Sequence, residues 1–332
     1  MNRRTINNDK DFQMVFVVGC YRSGTTLIRN LLDIHQRVAV TSEIHFFDII
    51  MGSRKKFGDI ANDKQRERFV DYILRKVAKF SKTKGDYWQT ADINYQELRD
   101  DLLNCRDIKE VFLVLAKLTA TKDNFEILVE KTPINVFFLK EIMNIFPNAR
   151  IINIVRDGRD VCASACKLWS LDYLLPIARW IESLRRFDND RHNLSDLDFF
   201  EVKYEDLVDN PEEEMKKIFN FIGINTLPDN FKYSIETVMG TSSFQKGQKG
   251  LYKSSHFESF FNNDEREIIN YFLHPLLEKR GYESRAGGQV LVATQFRFFY
   301  NLIKMKIFIF LKKAGYFWFY TRLRKMRCKL SR

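Results

Sequence analysis

Proline is scarce in this chain of 332 residues, with six in all, and no acidic residue occurs after Glu283. With 45% apolar residues alongside so little proline, the composition excludes a disordered or low-complexity chain and leaves enough for a sizeable core. The missing acids split the charge. The net charge is +11, yet residues 1–284 hold 42 basic and 43 acidic side chains, and the other 12 Lys and Arg lie between Arg285 and Arg332. A near-neutral body argues against a surface built for polyanions, so no nucleic-acid partner is expected, and the basicity belongs to the tail. Cysteine is limited to Cys20, Cys105, Cys162, Cys166 and Cys328. An odd number at irregular spacing does not make a disulfide framework. Cys162 and Cys166 can share a helix face, but no second Cys/His pair completes a zinc site. A reducing compartment, no metal and cysteines serving as small core hydrophobes are expected. Long hydrophobic runs are missing too. Residues 1–12 have no apolar core segment of the signal-peptide kind, and no stretch of about 18 uncharged apolar residues offers a membrane span. The expected location is cytoplasmic.

What is present alternates. Met14–Val18, Val38–Thr41, Glu126–Glu130, Ile151–Val155 and Phe199–Val202 are short apolar runs of strand type. Between them lie helical patterns: Gly24–His35, a segment opened by Pro133 and running to about Phe146, one from about Asp160, and one opened by Pro211. Such alternation predicts an α/β fold, a P-loop-type parallel sheet of about five strands flanked by helices. Residues 46–121 are charged and helical in pattern, and are expected to be a helical insertion that shapes an acceptor region within a domain spanning 1–284. In parallel sheets ligands bind beyond the carboxyl ends of the strands. Gly19–Thr26, Glu43, Lys131 and Arg156 each stand at such an end.

Gly19-Cys20-Tyr21-Arg22-Ser23-Gly24-Thr25-Thr26 fits the spacing of a phosphate-binding loop between strand and helix. Its glycines let backbone N–H groups curl around an anion, and the helix dipole adds to them. The lysine that a nucleotide hydrolase sets against the β- and γ-phosphates is absent: Thr25 takes its place and the cation has moved to Arg22. The loop should therefore hold a phosphate-like group without magnesium.

The string Tyr21–Leu27 resembles the 5′-phosphosulfate loop of the sulfotransferases that use 3′-phosphoadenosine 5′-phosphosulfate (PAPS). Val155-Arg156-Asp157-Gly158-Arg159-Asp160-Val161, with Ser164 eight residues after Arg156, resembles their 3′-phosphate motif. Gln245-Lys246-Gly247-Gln248-Lys249-Gly250 is similar to the family's late basic-glycine loop, with Gln245 where the family carries Arg. Tyr204, in Lys203–Leu207, lies in a segment similar to one bordering the nucleotide. The resemblance spans roughly 14–280 and is strongest to the tyrosylprotein and bacterial glycan types. Twelve residues after Arg156 the tyrosylprotein enzymes carry a further Arg, and this chain has Leu168.

The resemblance implies PAPS as sulfuryl donor, no metal, and an acceptor with a hydroxyl or amine on a glycan, lipid-linked group or peptide. It implies that Arg22, Ser23, Gly24, Thr25, Thr26, Arg156, Ser164, Tyr204, Lys246 and Gly247 bind the nucleotide. Glu43 is the implied catalytic base, and Arg22 and Lys131 carry charge at the reaction centre. His45 is the alternative base, or a packed core histidine. Arg159 is expected to pair with a neighbouring Asp. Glu130 is expected to point away from Lys131, since neighbours on a strand face opposite ways. Other readings of the loop are a P-loop nucleotide phosphotransferase, and an adaptor that has kept the fold without the chemistry. Residues 290–321 mix Phe, Tyr, Leu and Ile with Arg and Lys, and Arg322–Lys329 is basic. This basic amphipathic tail (285–332) suits either an anionic membrane surface, with the protein peripheral to it, or a helical hairpin packed on the body.

Overall fold

The first apolar run becomes the middle of the sheet. In the computed structural model, which describes residues 12–54, 56–81, 93–191, 198–237 and 256–313, it forms β1 (Gln13–Gly19). It is followed by α1 (Thr25–Asp33), β2 (Val38–Val40), a π-helical turn (Phe46–Met51), α2 (Gly52–Arg54), α3 (Asp63–Phe80), α4 (Tyr95–Asn104) and α5 (Ile108–Thr119). Next come β3 (Ile127–Lys131), α6 (Leu139–Ile145), β4 (Arg150–Val155), α7 (Gly158–Trp169), α8 (Leu174–Arg191) and β5 (Phe199–Lys203). The chain then runs through α9 (Tyr204–Asp209), α10 (Pro211–Phe221), α11 (Phe231–Thr237), α12 (Phe257–Phe260), α13 (Asn263–Lys279) and α14 (Val292–Lys313). The five strands pair in parallel in the order β2-β3-β1-β4-β5. The connections leave β1 toward β2 and β3, then cross back to β4 and β5. The reversal falls at β1, where a crevice opens at the carboxyl ends.

Both faces of the sheet are covered, which is why its strands read as unbroken apolar runs. Met14, Phe16 and Val18 face one cluster, while Val15 and Val17 face another with Ile28, Leu31 and Leu32 of α1. The region 46–121 is helical in its described parts and is no separate lobe. Phe46, Phe47, Ile73, Leu102 and Phe112 join the cluster around Phe16, so these helices roof one face of the sheet. Each such side chain, fully buried, contributes roughly 1.5–3 kcal/mol. A third cluster, centred on Trp180, joins α7, α8 and α13.

The expected single helix from Pro133 is two pieces. Pro133–Phe137 is a 3₁₀ turn, and Phe138 breaks it before α6. Asn135 explains the break, because its side chain is committed to the buried Glu130 (2.7 Å) and its carbonyl accepts from Phe138 N at 2.8 Å. α7 begins at Gly158, two residues early, because the Asp157 side chain caps Arg159 N at 2.8 Å.

α14 lies along α8 and ends against α2 and the π-helical turn. Phe298, Leu302 and Met305 are buried, and Phe298 stacks on Phe272 with ring centroids 4.0 Å apart. The other side of α14 shows Phe296, Phe299, Tyr300, Ile303, Ile307 and Phe310 to solvent. Arg322–Lys329 lies outside the described residues. No helix among the described residues is long and apolar enough to cross a membrane.

Candidate active site

The loop after β1 is shaped by its backbone. Gly19 leaves the strand at φ +147° and Gly24 enters α1 at φ +101°, and Arg22 between them is also left-handed at +74°. A Cβ on Gly24 would lie 2.5 Å from the Tyr204 ring, so only glycine fits there. α1 starts without a side-chain cap, and its first turn presents backbone N–H groups and the positive end of its dipole to the loop. The hydroxyl of Ser23 is buried and meets no hydrogen-bond partner among the described residues. An orphaned hydroxyl beside an uncapped helix start is what an anion would satisfy.

The second motif closes on the first. Arg22 Nε donates to Ser164 Oγ at 3.0 Å, and Arg156 Nη1 donates to the Arg22 carbonyl at 3.3 Å. The Arg156 guanidinium lies 4.4 Å from the centre of the Tyr204 ring, and Trp180 Nε1 holds the Arg156 carbonyl at 2.9 Å. Arg22, Ser23, Gly24, Arg156, Ser164 and Tyr204 are thus one constellation, although the loop after β1, the residue after β4, α7 and the start of α9 carry them. Arg22 reaches toward the second motif as well as lining its own loop. Arg159 pairs with Asp157 at 2.6 Å, as expected. Lys246 and Gly247 lie outside the described residues.

The far side of the loop holds a chain of charges. Lys131, at the end of β3, is wholly buried; its Nζ lies 2.6 Å from Glu43 Oε1 and 3.4 Å from Thr26 Oγ1 on α1. Glu43 Oε2 lies 3.3 Å from His45 Nε2, a charge contact more than an aligned hydrogen bond. His45, left-handed at φ +52°, sets Nδ1 3.1 Å from the buried Asp48, and Asp48 also receives the Lys312 ammonium from α14. Burial pushes the Glu43 carboxyl up, but His45 and then Lys131 overcome it and hold it at about 2. Burial would lower His45; Asp48, followed by Glu43, instead raises it to about 9. Burial likewise pushes Asp48 up, and Lys312 and His45 bring it down to about 2. Glu130 occupies the opposite face of β3 beside Thr132 and Asn135, as strand alternation predicts, and burial raises it to about 7.

Residues 14–229 match the sulfotransferase family. The chain belongs to that family. Among its relatives is the Mycobacterium tuberculosis omega-hydroxy-beta-dihydromenaquinone-9 sulfotransferase Stf3, 25% identical over 46% of this chain and 40% of the relative. The Drosophila melanogaster protein-tyrosine sulfotransferase is 22% identical over 67% of this chain and 40% of its own length. An Aquifex aeolicus protein is 24% identical over 73% of this chain, and the match covers 29% of it. The chain therefore spans well under two thirds of these relatives. In fold it is similar to the sulfotransferase domain of the curacin biosynthetic pathway, with a TM-score of 0.53 at 16% identity over 83% of this chain and all of that domain.

In this sulfotransferase-family chain the charged chain behind Glu43 has members that sequence reading missed. Asp48 sits within Phe46–Met51, and a lone carboxylate in an apolar run three residues from a histidine was a visible signal. Lys312 gave none. Its partner is 264 residues away, and nothing in a basic tail marks one lysine as buried.

Proposed function

We propose that the chain is a sulfotransferase that moves a sulfuryl group from PAPS to a hydroxyl or amine of a glycan, lipid-linked or peptide acceptor. One observation carries this reading: Lys131 Nζ touches both Thr26 of the phosphate loop and Glu43, which sets a carboxylate beside an anion-binding loop. The residues fit the donor. Arg22, Ser23 and the N–H groups of Gly24–Thr26 would hold the 5′-phosphosulfate. Arg156 and Ser164 would hold the 3′-phosphate beside Tyr204, with Lys246 and Gly247 added by family resemblance. When bound, PAPS supplies a sulfuryl group attached to a phosphate that can leave.

Glu43 takes the proton of the acceptor as the acceptor oxygen bonds to sulfur. The electron pair of the breaking S–O bond goes to the phosphate oxygen, where Lys131, Arg22 and the first turn of α1 meet the growing charge. A carboxylate held at about 2 is ionised at neutral pH but accepts protons weakly. Of the two cations that hold it down, His45 and Lys131, the lysine is the one nearest the loop. Charge growing on the phosphate competes for Lys131, so Glu43 becomes more basic as transfer proceeds. His45, raised to about 9, already carries a proton near neutrality and is not the base.

Glu43→Gln is expected to keep its affinity for adenosine 3′,5′-bisphosphate and lose about 10²–10⁴ in turnover of radiolabelled PAPS with hydroxyl acceptors. Near-normal turnover would take the role away from Glu43.

The same protein is proposed to rest on an anionic lipid surface through the outer face of α14. Phe296, Phe299, Ile303, Ile307 and Phe310 form an exposed apolar stripe, flanked by Lys304 and Lys306, in a segment with no acidic residue. Aromatic side chains and lysines on one helix suit the headgroup boundary. A lipid-linked acceptor would be met there, and one relative is named for a hydroxylated menaquinone. Salt-sensitive sedimentation with phosphatidylglycerol vesicles, lost in Phe296→Ser/Phe299→Ser/Phe310→Ser, is expected. A concentration-dependent dimer abolished by the same changes, without vesicle binding, would show that a second copy covers this face.

A further inference from the structure

Asp48 has no place in the sulfuryl-transfer reading, yet it is 2% exposed, in a turn whose Phe46, Phe47 and Ile50 are also buried. Two cations share it. His45 Nδ1 lies 3.1 and 3.3 Å from its oxygens, and the Lys312 ammonium reaches it from the last turn of α14. Lys312 is itself buried, with its ammonium 4.7 Å from the centre of the Phe308 ring. Gly52 admits it, for a Cβ there would lie 2.1 Å from the Lys312 carbonyl.

Removing two such charges from water is costly, and well-packed apolar residues in their place are often neutral or stabilising. α14 does not need the pair as an anchor. Phe298, Leu302 and Met305 already seat it, and Lys313 ties it to Glu141 at 2.6 Å. What the pair does distinctively is end a row of alternating charge: Lys312, Asp48, His45, Glu43, Lys131.

We propose that Lys312 is a positioning residue for the candidate base: it anchors the Asp48 carboxylate against His45, and His45 in turn fixes Glu43 between itself and Lys131. The inference rests on the reading of Glu43 as the base. Without Lys312 the Asp48 carboxylate would depend on His45 alone and could turn. Nε2 would then lose its aim at Glu43, whose second oxygen would be unheld. On this account α14 is part of the active site, although its Lys312 lies more than 260 residues from Glu43 in sequence.

His45 is the group to watch. It faces Glu43 and Asp48 from its own segment, Glu130 and Lys131 from β3, and Lys312 from α14, with Tyr72 of α3 beyond Asp48. Asp48 is the main group opposing burial there. Full-length Asp48→Asn/Lys312→Met removes both charges and leaves no unpaired ion. It is expected to bind adenosine 3′,5′-bisphosphate normally and to lose roughly tenfold or more in kcat with little change in acceptor KM. His45 is one of five histidines, and its titration can be followed by NMR with isotope-labelled histidine. In the double variant it should release its proton about one pH unit or more below the wild type. Lys312→Gln, which keeps a donor to Asp48 and removes only the charge, should show a smaller loss of kcat. Wild-type kcat and an unshifted His45 titration in both variants would overturn the proposal and leave the pair a simple tether. If Glu43→Gln turns over normally, the base reading fails instead. The His45 titration needs no turnover, so in Lys312→Gln, where Asp48 keeps its charge, it still decides whether Lys312 governs the row.

Discussion

Glu130 and Lys131 are neighbours on β3, both fully buried, and their surroundings treat them differently. Lys131 finds Glu43, whereas Glu130 finds Thr132 and Asn135, which are neutral. Burial therefore raises Glu130 to about 7. Below its unfolded value near 4.5 it is protonated in both states and costs nothing. As pH rises above about 4.5 the unfolded chain ionises while the folded one resists until about 7, so over that window the penalty grows to about 3 kcal/mol and then levels off. Glu130→Gln should therefore stabilise the protein against urea at pH 8 by up to about 3 kcal/mol and change little at pH 4. An equal gain at both would contradict the burial argument. His45 works in the same direction: its raised value contributes stability that is present below 6.5 and lost as pH rises through about 9. Single residues were legible in the sequence where they follow an apolar run, as Glu43, Lys131 and Arg156 do. Their partners were not legible, because a lysine–carboxylate pair across 88 residues leaves no local pattern.

Strands and the helices of the sheet were the most readable elements, since both faces of each strand are covered and the runs are continuous. Boundaries shifted where a side chain intervened, as Asp157 does at α7 and Asn135 before α6. α14 could be read as helical but not placed: its sequence is apolar on two sides, one for α8 and one for solvent. Gly52 tests that placement. Gly52→Ala would put a methyl 2.1 Å from a backbone carbonyl that cannot rotate away, so α14 or α2 must shift. A loss of about 1–3 kcal/mol is expected in thermal or urea unfolding. Gly288→Ala meets only the end of a flexible Glu267 at 3.5 Å and should be nearly neutral. Matching effects would mean that α14 does not press on α2.

At the scale of the whole molecule the charge split explains the division of labour. The body, with 42 basic and 43 acidic side chains, is near neutral as a whole, and Arg22, Lys131 and Arg156 stand where the strand ends converge. The parallel sheet brings β1, β3, β4 and β5 to one edge, so a loop and three strand ends far apart in sequence can serve one nucleotide. The central claim is that this edge is built for a nucleotide phosphorylated on both its 5′ and 3′ sides. The most direct measurement is a calorimetric titration of the full chain, in the presence of EDTA, with adenosine 3′,5′-bisphosphate and, separately, with adenosine 5′-monophosphate. If Arg156 meets the 3′-phosphate as proposed, that charge-assisted contact is worth about 1.5–3 kcal/mol, so the bisphosphate should bind roughly tenfold or more tightly than the monophosphate, without metal. Equal affinity for the two ligands, or binding of ATP only when magnesium is added, would contradict the account.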